Sequence, residues 1–205
     1  MGALKTNSSA VSIGLRAKTA RAIAVVVGGP MDAPRVIKRV ELITGDPAVP
    51  ATVQPYHEVL DLPWPQAEVE VRKTTRKIEA ISAKVIRGLV RELETEGYVV
   101  RAVGVVGAGD RNLEKIGSTH IRAHAAEGVL FRQVLEAGAA ANGLPSRRFD
   151  ERSLDTAAEQ ELKTPMAKIK AQLAEMGRSA GSPWRADEKA AATAAWLVLA
   201  TGASK

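Results

Sequence analysis

Two apolar runs of strand length, residues 11–15 and 22–27, stand on either side of the polar stretch Arg16-Ala17-Lys18-Thr19-Ala20-Arg21. Gly28-Gly29-Pro30 breaks the second run, and residues 35–43 resume as a third with partial alternation. Apolar runs bounded by glycine and proline predict strands, and their short connections predict an antiparallel meander. Prolines 47, 50, 55, 63 and 65, five of the ten in the chain, fall within residues 45–65. That segment is therefore expected to be an irregular excursion over the surface.

From residue 74 to residue 96 the apolar positions change period. Ile78, Ile81, Val85, Leu89 and Leu93 recur at helical spacing among charged residues, with Gly97 as the stop. Residues 98–106 are apolar almost throughout, as in a strand covered on both faces, so a strand–helix–strand crossover into a parallel pairing is expected. After Gly107-Ala108-Gly109-Asp110 a second helix is predicted over 119–142, with Ile121, Leu130, Val134 and Leu135 near one face and Gly143 ending it. Residues 147–154 supply a short fifth strand. Thr164-Pro165 opens a third helix through Met166, Ile169, Leu173 and Met176, closed by Gly177, and an alanine-rich last helix covers 185–200. The expectation is one α/β domain over residues 1–205, with three antiparallel strands followed by parallel ones and helices at the flanks.

Composition narrows the functional classes. The 205 residues, 45% of them hydrophobic, suffice for one packed core. The absence of cysteine excludes disulfides, thiolate metal sites and thiol catalysis. Residues 1–10 show no apolar leader, and no run approaches the roughly 18 apolar residues of a membrane span, so a cytoplasmic protein is expected. A net charge of +6 permits a polyanionic partner without requiring one. Only 3% of residues are aromatic, which argues against a dedicated binder of unstacked bases.

Candidate chemistry is sparse. His120, His124 and Glu127 lie at i, i+4 and i+7 on a predicted helix, a spacing that gathers two imidazoles and a carboxylate on one face, either as metal ligands or as a plain solvated face. His57, inside the proline-rich segment, has no partner near it in sequence and is expected to be an exposed loop residue. No glycine-rich phosphate loop and no nucleophile elbow is present. Basic residues group at Arg72, Lys73, Arg76 and Lys77 and at Arg147, Arg148 and Arg152. The first group reads as positive charge placed unfavourably at a helix N-terminus, which favours an anionic partner.

The order strand, strand, strand, helix, strand, helix, strand, helix resembles the ribonuclease-H-like fold. Ile13-Gly14-Leu15-Arg16-Ala17-Lys18-Thr19-Ala20-Arg21 resembles the first hairpin of RuvC-type Holliday-junction resolvases, whose pattern is apolar, Gly, apolar, Asp and a small turn. Ser182-Pro183-Trp184-Arg185-Ala186-Asp187-Glu188-Lys189-Ala190 resembles the Asp-Glu-x-Asp-Ala start of that family's last helix, and Glu127-Gly128-Val129-Leu130 is similar to the helix after its fourth strand. The family's reaction gathers carboxylates around one or two magnesium ions. By the resemblance, the first-strand aspartate corresponds to Arg16, the fourth-strand glutamate falls within 102–106 at Gly104, Asp187 matches one acid of the final motif, and the other falls at Ala190.

The resemblance thus implies the fold without its catalysis: a nucleic-acid-binding or assembly module without a cofactor. It also implies a homodimer paired through helices, for which residues 137–141 and 190–195 offer alanine-rich faces. Arg16 has two readings, phosphate binding with Lys18 and Arg21, or a salt bridge to Asp187 across the top of the sheet. Asp187 and Glu188 also suit a helix start on electrostatic grounds alone. The alternatives are a magnesium-dependent nuclease using Asp110, Glu127, Asp187 and Glu188, and a structural protein with no nucleic-acid partner.

Overall fold

The computed structural model describes residues 9–202; residues 1–8 of the segment read for a leader lie outside them. Strands β1 (Ser9–Lys18), β2 (Arg21–Gly28) and β3 (Arg35–Ile43) form the expected meander. Helix α1 (Trp64–Thr95) crosses over to β4 (Tyr98–Gly107), which pairs parallel to β1. Helix α2 (Thr119–Ala140) leads to β5 (Ser146–Asp150), parallel to β4, giving the sheet order β3-β2-β1-β4-β5. Helices α3 (Leu154–Leu162), α4 (Met166–Ala180) and α5 (Ala186–Thr201) complete the chain.

The period-2 pattern of β1 sorts the two faces of the sheet. Val11, Ile13, Leu15 and Ala17 pack with Leu89, Leu93 and Leu135 of α1 and α2. Their alternates Ser12, Gly14, Arg16 and Lys18 therefore face the other layer, where Ala102 and Val106 of β4 meet α5. Helix α5 is covered on nearly every side by the sheet, α3 and α4, so it is apolar all round rather than striped.

Several expectations change. Helix α1 begins ten residues earlier than its apolar period suggested, because Pro63 is the N-cap and Pro65 lies in the first turn, where a missing N–H costs nothing. Arg72, Lys73, Arg76 and Lys77 consequently sit inside α1, not at its positive end, and the argument from electrostatic mismatch falls. The buried stripe is Ile78, Ser82, Ile86, Leu89 and Leu93, with Ile81 and Val85 on its flanks. Ile121 is 59% exposed and takes no part in the core. Helix α3 occupies residues expected to be strand and loop, and α4 runs past Gly177 to Ala180.

Ala191, Ala192, Ala194 and Ala195 are wholly buried against the chain's own sheet, and Ala139 lies in the core beneath α1 and α2. The small side chains of the 190–195 face thus serve close packing within the chain, whereas Ala140 and Ala141 of the other face stay exposed. The proline-rich segment has no long element, as expected, yet it is anchored: Thr52 is fully buried, and Tyr56 stacks on Trp64 at 5.3 Å between ring centroids. No helix among the described residues is long and apolar enough to cross a membrane.

Candidate functional site

The carboxyl ends of β1, β4 and β5 gather at one end of the sheet, which in open α/β folds is where side chains converge on ligands. Arg16 stands there, aligned with Val106 of β4, and Val106 is aligned in turn with Phe149 of β5. The position beside Arg16 is thus Val106, two residues beyond Gly104, and neither residue carries a carboxylate. The start of α5 hangs over the same end and delivers Asp187.

The Arg16 side chain is only 11% exposed and joins two acids. Its Nη2 lies 2.7 Å from Oε2 of Glu151, and its Nε donates to Oδ1 of Asp187 at 3.2 Å. Lys18, two residues on along the same face, reaches Oδ2 of Asp187 at 3.2 Å. Of the two readings of Arg16, the salt bridge across the top of the sheet is the contact present. Arg21 is opposite Lys18 in the hairpin, but its guanidinium pairs with Glu41 at 3.2 Å on exposed surface. A cleft of about 190 Å3 opens beside Arg16, lined also by Lys18, Ala108, His124, Phe131 and Glu151.

Partial burial opposes ionisation of Asp187, but the Lys18 ammonium and the Arg16 guanidinium outweigh it and lower its pKa below the ordinary 3.8. A depressed carboxyl contributes stability above its unfolded-state value, and the contribution disappears as the pH falls through the folded-state value. Asp187→Asn is therefore expected to destabilise at pH 7, by about 1 kcal/mol or less because solvent screens a side chain this exposed. Urea midpoints of the variant and the parent should lie closer together at pH 3 than at pH 7. An equal gap at both pH values would show that these ion pairs are not its source.

The other acids singled out from the sequence are placed apart from Arg16 or engaged elsewhere. Asp110 is held by Arg132, 2.7 Å from Nη2, and by Arg148 at 3.1 Å; the hydrogen bond and charge of Arg132, reinforced by Arg148, lower its pKa. Glu188 turns back to accept from the Arg185 backbone N–H at 2.8 Å, closing the start of α5. Glu127 is 1% exposed and does not share an outer face with His120 and His124; it faces His57, whose Nδ1 is 2.9 Å away. Of the basic groups, Arg147 is paired with Glu161 and lies over the Phe149 ring, while Lys77 is 3.6 Å from Asp46.

Glu151 and His57 are the two site residues that the sequence reading missed. Glu151 directly follows a strand that pairs parallel, and that position was its one available signal. His57 had none, since its partners Glu127, His120 and His124 lie more than sixty residues away; with a side chain 13% exposed, it is not the exposed loop residue expected.

No family model matches the chain, and no curated protein matches it. Among solved structures it is similar to the Thermus thermophilus RuvC structure, with a TM-score of 0.52 and 13% identity over 95% of this chain and 98% of that one. It is similar also to T. thermophilus RuvC in complex with Holliday junction substrate, with a TM-score of 0.51 and 12% identity over the same shares. The chain has the ribonuclease-H-like fold, its five-stranded mixed sheet and flanking helices resembling those of Thermus thermophilus RuvC in structure.

Proposed function

We propose that the chain is a RuvC-like module that holds nucleic acid by its phosphate backbone and does not cut it. One observation carries the reading: the Arg16 guanidinium bridges Asp187 and Glu151, at the place where, by the family resemblance, a hydrolytic relative seats magnesium. A fixed cation there satisfies both carboxylates and repels a second cation. Among the described residues, the remaining candidate acids are committed to Arg132, to the start of α5 and to His57.

A backbone phosphate has a route to the same guanidinium. Glu151 is 55% exposed, and a phosphate oxygen replaces it as the second partner of Arg16 with the bidentate geometry that guanidinium favours. Lys18 and Arg21 extend the basic face along the hairpin. The resemblance to RuvC further supports a paired assembly, which sedimentation of the purified chain reads directly.

The experiment uses a labelled four-way DNA junction and single-stranded DNA, with magnesium or manganese present. Retention that weakens with salt and leaves the DNA uncut is the expected result. Arg16→Met and Lys18→Met should each lower the slope of log K against log salt by about 1. Metal-dependent cleavage lost in Asp187→Asn would favour the relocated-acid nuclease instead. Absence of retention at low salt would leave a structural protein.

A further inference from the structure

We propose that His57, His120 and His124 form a binding site for a first-row transition metal ion of the zinc type, with Glu127 as the residue that orients His57. This site shares no residue with the Arg16–Asp187–Glu151 ion pairs, although His124 borders their cleft, and it does not depend on the phosphate-binding reading.

Local structure sets the first pair. Ser118 caps α2 by accepting from the Ile121 backbone N–H, so His120 and His124 fall one turn apart on its exposed side. Their Nε2 atoms are 3.1 Å apart. Two ligand nitrogens on a tetrahedral zinc, each about 2.0–2.1 Å from the metal, stand about 3.4 Å apart, so little movement separates this pair from coordination. The third imidazole arrives from the proline-rich segment: the His57 ring centroid is 4.4 Å from that of His124 and 5.1 Å from that of His120. One ligand-capable atom from each of the three lies within 4.8 Å of the others.

Glu127 decides which nitrogen His57 offers. Its Oε1 accepts from the backbone N–H of Tyr56 and, at 2.9 Å, from Nδ1 of His57. With the proton fixed on Nδ1, the lone pair is on Nε2, which is buried and has no hydrogen-bond partner. A carboxylate behind a histidine is the usual support of a metal-bound imidazole, because it fixes the ring and raises its basicity. Without an ion, one of His120 and His124 donates to the other, and the buried Nε2 of His57 is left without a partner. A cation held by all three rings would give that nitrogen a partner.

The donor set selects the metal. Three neutral imidazoles suit zinc, copper, nickel or ferrous iron, whereas magnesium and calcium take oxygen ligands. Three protein ligands leave one coordination position open. Both His120 and His124 are exposed, so water reaches it; His124 also lines the cleft beside Arg16 and Lys18.

The test is titration of the untagged, chelator-treated full chain with zinc chloride, followed by calorimetry, and with cobalt chloride, followed by visible absorption. One equivalent of zinc should bind, cobalt should give tetrahedral bands, and magnesium should not compete. His120→Ala and His124→Ala, both at exposed positions, should retain the fold by circular dichroism and lose stoichiometric binding. Glu127→Gln keeps a carbonyl acceptor for the backbone and should weaken zinc binding about 10- to 100-fold while altering the cobalt bands. Failure of the parent chain to take up one equivalent overturns the site, as does full affinity in a folded His124→Ala.

Discussion

Gly14→Ala should destabilise the protein by more than about 3 kcal/mol, or prevent folding at 37 °C. Ordinarily alanine in place of a strand glycine stabilises by about 0.5–1 kcal/mol, since it restricts the unfolded chain. Here packing reverses the sign. A Cβ at Gly14 would fall onto the carbonyl of Ala191 and lie 2.9 Å from the backbone nitrogen of Ala195. The aligned position in β4, Gly104, meets the Ala194 carbonyl in the same way, at 2.7 Å. Both obstacles are helix backbone, so no rotamer change relieves them.

To make room, α5 would have to rise as a unit from β1, β2 and β4 while also packed on α3. Inserted atoms in a packed interior typically cost 1–3 kcal/mol, and backbone collisions exceed that range. The same lift would carry Asp187 away from Arg16 and Lys18. Gly88→Ala is the control: nothing lies within 4 Å of its added Cβ on the outer side of α1, and a gain of about 1 kcal/mol is expected there. Urea denaturation of the two variants reads both signs, and a Gly14→Ala midpoint equal to the parent's would refute the close approach of α5.

Glu127→Ala is expected to cost about 2–3 kcal/mol and to loosen the segment around His57. The carboxylate is the acceptor for the Tyr56 N–H and for the His57 ring, and it shares the His57 backbone N–H with the Gln54 carbonyl. Removing a buried acceptor leaves donors without partners, at about 1–3 kcal/mol for each fully stranded group. Hydrogen exchange should accelerate at Tyr56 and His57 while the amides of β1 and β4 keep their protection. Uniform acceleration across the sheet would mean that Glu127 supports the core instead of the loop.

The meander, the almost wholly apolar β4 and the alanine-rich last helix were readable because period and run length act locally: a strand with one covered face alternates, and a helix buried all round does not. The alternation of Ile13 and Leu15 with Gly14 and Arg16 went unread in an apolar run, and only the layers packed on the two faces of the sheet reveal it. The start of α1 was not readable, because prolines that terminate most patterns are harmless in a first turn. Helix α3 was hidden in nine residues with little apolar period.

By itself the sequence determined the order of the five strands and of every long helix except α3, the lack of thiol chemistry, and a guanidinium at the end of β1. Only the tertiary structure decided what that guanidinium touches, since Asp187 is 171 residues away, and that His57, 70 residues from Glu127, completes a cluster with His120 and His124. Periodicity tells each residue which side of its own element it occupies. It holds no information about which element is laid against that side, and that depends on how the layers pack.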